Sequence, residues 1–171
     1  MPTSPITTLN NRGFTLIELS IVLFIIALTA SLTMPLLGNI GNGNLHSASR
    51  RLAGTIKYFY NEAVLEKKIY RLTFDLDHAA YWVERQKADG EWSALSGRMG
   101  GRKKLQGSVL MTRVYINGRG AFISGQVSMK IYPAGWLDEM TLYLKDGKYK
   151  QTLRISALTG TTEFYDGYRD F

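Results

Sequence analysis

From Phe14 to Leu37 the chain carries one charged side chain, Glu18. At ~1.5 Å of rise per residue a helix over this run reaches ~36 Å, beyond the ~30 Å hydrocarbon core of a bilayer. Three readings of such a run compete: a cleaved secretory signal, a plain anchor, or a stem that serves both membrane and assembly. A secretory signal has a basic start and a short apolar core. Here the run is too long, and residues 1–11 hold no charged side chain. Hydropathy alone leaves the other two open.

Glu18 separates them. A carboxylate at mid-bilayer costs up to ~2.5–3.5 kcal/mol, and less near a helix end, so it calls for a partner. The surrounding residues read Arg12-Gly13-Phe14-Thr15-Leu16-Ile17-Glu18-Leu19. This stretch resembles the cleavage and methylation motif of type IV prepilins and type II secretion pseudopilins. The resemblance implies that a prepilin peptidase cuts between Gly13 and Phe14 and methylates the new Phe14 amine. Glu18 then becomes the fifth residue of the mature chain, one helical turn from that amine, and an assembly residue in the filament. Pro35 also falls where pilins carry a proline, while Ala27 stands where many relatives have glycine.

Charge around the run does not choose a topology. Arg12 precedes it, but Arg50, Arg51 and Lys57 follow closely. A cytoplasmic amino terminus and a periplasmic carboxy-terminal domain, single-pass in a bacterial inner membrane, are what the resemblance implies. The net charge of +7 belongs to the part beyond Leu37, because Arg12 and Glu18 cancel. A surplus of this size favours acidic partners without naming one. With no cysteine, disulfides and thiolate metal sites are excluded.

Gly38, Gly41 and Gly43 mark residues 38–44 as a Gly-rich hinge, since three glycines cost a helix ~3 kcal/mol relative to alanine. Beyond it, Leu45, Ala48, Leu52, Ile56, Phe59 and Ala63 recur at helical spacing, which predicts an amphipathic helix covering a sheet. From Ile69 the period becomes two. Tyr70, Leu72, Phe74 and Leu76 share one strand face, with Asp77-His78 turning the chain into residues 79–85. Further strands are expected over 108–116, 126–132 and from Met140 through Leu144. A hairpin at Asp146-Gly147 leads to Leu153, Ile155 and Ala157, and a last strand covers 161–165.

One helix and six or seven antiparallel strands make an α+β domain over 45–171, behind a transmembrane stem helix over 14–37 and a leader over 1–13. Ile131-Tyr132-Pro133-Ala134-Gly135 and Leu158-Thr159-Gly160 add a resemblance to the GspH/FimT family of minor pseudopilins and minor pilins. That family implies a structural, non-enzymatic subunit of a type II secretion pseudopilus. Its partners would be other pseudopilins or pilins, the prepilin peptidase and an inner-membrane assembly platform. The alternatives are a minor pilin of a type IV pilus, one able to bind DNA included, and a membrane-tethered periplasmic enzyme.

Nothing in the chain supplies a catalytic set. His46 and His78 are the only histidines, and both are expected to be solvated. No His-x-x-x-His, Gly-x-Ser-x-Gly or phosphate-loop pattern occurs. No cofactor or metal is expected. Asp75 and Asp77 alternate onto one face, but two carboxylates without a supporting loop are a poor calcium site. Trp82, Trp92 and Trp136 read as core or cross-strand residues. Arg98, Arg102, Lys103 and Lys104 form one basic cluster, which reads as a solvated strand connection or as a contact for an acidic partner. Nucleic acid is not the expected partner, because no aromatic residue interleaves with the cluster.

Overall fold

The computed structural model describes residues 15–37 and 40–171, the side chains at residue 30 and residues 32–42 aside. The chain divides into two units, Met1–Asn39 and Ile40–Phe171. The first holds α1 (Leu16–Leu37). Its described apolar side chains are exposed all round, from Leu16 and Ile17 through Phe24 to Leu28. They form no single buried stripe. Among the described residues no helix is long and apolar enough to cross a membrane. The transmembrane assignment of 14–37 therefore rests on the sequence.

The second unit runs α2 (Ile40–Glu66), β1 (Tyr70–Asp75), β2 (Ala80–Gln86), β3 (Trp92–Ala94), the single turn α3 (Gly97–Gly100), β4 (Lys103–Lys104) and β5 (Leu110–Ile116). It continues with β6 (Gly120–Phe122), β7 (Gln126–Tyr132), β8 (Trp136–Leu137), β9 (Met140–Asp146), β10 (Tyr149–Ile155) and β11 (Thr162–Asp166). Two antiparallel sheets result. One has the order β3-β2-β1-β7-β8 with β4 also on β2, the other β11-β10-β9-β5-β6. This is the expected α+β architecture.

α2 packs on β1 and β7 of one sheet and on β9 and β10 of the other. Leu45, Ala48, Leu52, Ile56, Phe59 and Ala63 are all buried, so the whole predicted stripe is core. Facing it are Leu72 and Phe74, paired with Met129 and Val127 across β1–β7, and Leu142, paired with Leu153 across β9–β10. Such cross-strand apolar pairs, buried under one helix face, set the register, because a one-residue slip would turn every one of them outward. The β9–β10 hairpin closes through Gly147, whose φ of +56° suits a primed two-residue turn. A bulge in β5 between Met111 and Arg113 leaves Thr112 outside the ladder. Its hydroxyl bonds the Tyr143 carbonyl at 3.1 Å instead.

Two expectations need correction. The stretch expected as a hinge over 38–44 is helical from Ile40, with Gly41 and Gly43 inside α2; Gly38 and Asn39 lie outside the described residues. Glycine disfavours a helix by only ~1 kcal/mol per residue, and the buried face that begins at Leu45 outweighs that penalty. Among the described residues the strands number eleven rather than six or seven. β3, β4, β6 and β8 have two or three residues each, too few to show an alternating period.

Candidate functional site

At the amino-terminal end, Gly13 and Phe14 lie outside the described residues. Just after them, the Thr15 hydroxyl accepts the Glu18 amide at 3.3 Å, while Glu18 Oε2 accepts the Thr15 amide at 3.2 Å and its hydroxyl at 3.1 Å. This reciprocal pair is a capping box on α1, and it satisfies amides that the helix start leaves without partners. The Thr-x-x-Glu spacing was legible in the sequence; the resemblance had drawn attention to the glutamate alone. Glu18 is thus held one turn inside the helix with its carboxylate folded back toward the amino terminus. Pro35 sits in the last turn of α1.

The basic cluster does not stay together. β4 adds to the edge of β2, pairing Lys103 with Tyr81 and Lys104 with Ala80. Arg102 is drawn to the other face of that edge. Its guanidinium donates to Asp75 Oδ2 at 2.8 Å and lies over the Trp82 ring, 4.7 Å from its centroid. Asp75 is buried and also accepts the His78 amide at 3.1 Å. The Arg102 guanidinium, and after it the His78 contacts, hold the Asp75 carboxyl down at about 2.

Lys103 takes a different course. Its ammonium donates to the Met99 carbonyl at 2.9 Å and to the Thr55 hydroxyl at 3.5 Å, 5.6 Å from the Tyr81 ring centroid. Burial, then the charges of Arg51 and Arg98, push its pKa down. The cluster is a strand connection that rests on Tyr81 and Trp82, with Arg98 and Lys104 exposed. Aromatic residues absent from its sequence come to it from β2. Arg51 of α2, which the sequence did not connect with the cluster, joins it.

A second convergence had no local signal either. Tyr60, half-buried on α2, directs its hydroxyl at the carbonyls of Gly135 and Leu158, 2.7 and 2.6 Å away. One hydroxyl proton serves both acceptors. Lys57, one turn earlier, donates to the Thr159 carbonyl at 2.8 Å. The two turn motifs at 131–135 and 158–160 are thereby fastened to one helix. Gly160, at φ +60°, meets the Tyr60 ring so closely that a Cβ would lie 2.7 Å from it. Glycine is required there on both counts.

The other candidates find ordinary places. His46 is half-buried, its Nδ1 3.1 Å from the Gln151 amide nitrogen, and so is not simply solvated. His78 is exposed. Asp77 accepts the Gly125 amide at 3.0 Å, apart from the Asp75 contacts. Trp136 stacks on Tyr132 at 3.9 Å, and Trp92 lies under Arg71. Among the described residues no group of three His, Cys, Asp or Glu side chains could hold a metal ion.

Comparison with known proteins agrees with this arrangement. The prokaryotic N-terminal methylation motif matches residues 8–34. Type II secretion system protein H of Pseudomonas aeruginosa is 39% identical over 84 residues, 48% of this chain and 48% of that protein. The chain thus spans about half the length of the curated relative it matches. Among solved structures, the minor pseudopilin EpsH from the type II secretion system of Vibrio cholerae superposes with a TM-score of 0.60 at 12% identity. The match covers 74% of this chain and 99% of that one. A second structure of EpsH gives 0.55 at 14% identity, covering 71% and 94%. At such identities the likeness establishes the fold. The chain thus carries a prokaryotic N-terminal methylation motif over residues 8–34, followed by a domain with the fold of EpsH.

Proposed function

We propose that this chain is a structural minor pseudopilin subunit of a type II secretion system. The observation that carries the reading is the presence, in one chain, of the methylation motif and the EpsH-like domain. In this reading the peptidase cuts between Gly13 and Phe14, and the stem holds the protein in the inner membrane with the domain in the periplasm. Phe14 becomes a methylated ammonium beside the Thr15–Glu18 capping box. Glu18 then has two competing partners, its own helix start and the Phe14 ammonium of a neighbouring subunit. Pairing with the neighbour fixes an axial register, a role in which a desolvated ion pair contributes specificity more than net stability. The domain adds a rigid body whose surface meets other subunits, and catalysis plays no part.

Crosslinking of the full chain to other pseudopilins in a host carrying the secretion system tests this. Glu18→Val should leave cleavage intact and abolish the crosslinked species. Undiminished crosslinking of the variant would remove Glu18 from assembly.

A further inference from the structure

Arg51, Arg98, Lys103 and Lys104 border a groove between α2 and the segment that carries α3 and β4. Two adjoining cavities open there. One of ≈ 430 Å³ is lined by Arg51, Tyr81, Arg98 and Lys103, the other of ≈ 290 Å³ by Arg51, Tyr81, Lys103 and Lys104. Among the described residues no acidic side chain lines either cavity, and none of the four cations makes an ion pair. Four other arginines of the domain are matched: Arg71 with Glu84, Arg102 with Asp75, Arg113 with Asp170, Arg154 with Glu139. Three like charges around the half-buried Lys103 are an arrangement that an anionic group would relieve.

We propose that this groove is a docking site for an acidic segment of a partner polypeptide, with carboxylates seated between Arg51, Arg98, Lys103 and Lys104 above Tyr81. The neighbouring surface selects a polypeptide over a nucleic acid. Met99, which borders the larger cavity, also borders the next one along α2, where Glu62 and Glu66 stand. A phosphate backbone leaving the groove on that side would meet these carboxylates. A polypeptide changes charge from residue to residue and can follow the alternation. The site differs from the cluster read in the sequence, since Arg102 is engaged by Asp75 and Arg51 takes its place. The proposal builds on the filament reading by naming the partner's chemistry, yet the two fail separately. Direct binding reads the groove, whereas cleavage and crosslinking read the stem.

The test uses the full chain in detergent and a fluorescent peptide carrying a run of glutamates among neutral residues, followed by anisotropy. Arg51→Ala with Lys103→Ala should weaken binding by about tenfold or more, as loss of partly desolvated charge partners does. Lys148→Ala with Lys150→Ala removes the same charge from the β9–β10 hairpin and should change binding by less than about twofold, since exposed distant charges are screened. Should the first variant lose its near-ultraviolet dichroism, Arg98→Glu on exposed α3 replaces it, with the same expected loss. Four results would overturn the proposal: no peptide binding, equal loss in the hairpin variant, tighter groove-dependent binding of duplex DNA than of the peptide, or displacement of the peptide by millimolar inorganic phosphate.

Discussion

The two long helices solve opposite problems. α1 spans 22 residues and α2 spans 27, yet only α2 has a face. Leu52 and Ile56 of α2 are fully buried, whereas Leu16, Ile21, Phe24 and Leu28 of α1 remain half or more exposed. α2 is held by the sheets it covers. α1 is uniformly apolar, and its one charged group within the described part closes a local cap. An amphipathic helix is completed by its own domain, while an all-round apolar helix is completed by lipid or by other copies of itself.

That contrast is best broken by truncating one side chain on each helix. Leu52→Ala should destabilise the domain by ~2–5 kcal/mol, the cost of a cavity at a closed core position. Ile25→Ala should leave the unfolding midpoint of the domain within ~0.5 kcal/mol, as surface changes do. Denaturant titration of both variants in detergent measures the difference. Equal destabilisation would mean that α1 is part of the domain's fold.

The sequence revealed α2 and its sheets unevenly, for physical reasons. The stripe from Leu45 to Ala63 has helical spacing, and the Val127-Met129-Ile131 alternation is long enough to define a face; both signals are local. The two-residue strands β4 and β8 have no period to read. The groove was hidden because Arg51 reaches Lys103 only through the pairing of β4 with β2. Likewise nothing near Tyr60 announces Gly135 and Leu158, which follow it by 75 and 98 residues. Thr15 was the opposite case, with its Thr-x-x-Glu spacing in plain view.

Smaller changes sharpen how α2 holds its loops. Gly160→Ala forces a Cβ against the Tyr60 ring at a left-handed backbone position, and should cost ~1–3 kcal/mol. Tyr60→Phe keeps the ring and removes the shared hydroxyl, for an expected loss of ~1 kcal/mol. If Tyr60→Phe proved the costlier, the hydroxyl rather than the close glycine contact would be the fastening element. A pH-dependent effect concerns Asp75. Its folded pKa of about 2 lies below the ordinary carboxylate value of ~3.9, so the folded state binds the proton less readily. The associated stability is complete above about pH 4 and fades as pH falls toward 2. Arg102→Ala should flatten that acid limb by lowering stability near neutral pH, with little change near pH 2. An unchanged limb would remove Arg102 as the cause.

The difference between the helices matters most at the residue where α1 is made. Intact-mass analysis of the chain extracted from membranes of a host with an active prepilin peptidase tests this most directly. The expected mass is that of a protein beginning at Phe14 with one added methyl group on its amine. Recovery of only the unprocessed chain, with residues 1–13 still attached, would contradict the assignment of α1 as a pilin stem.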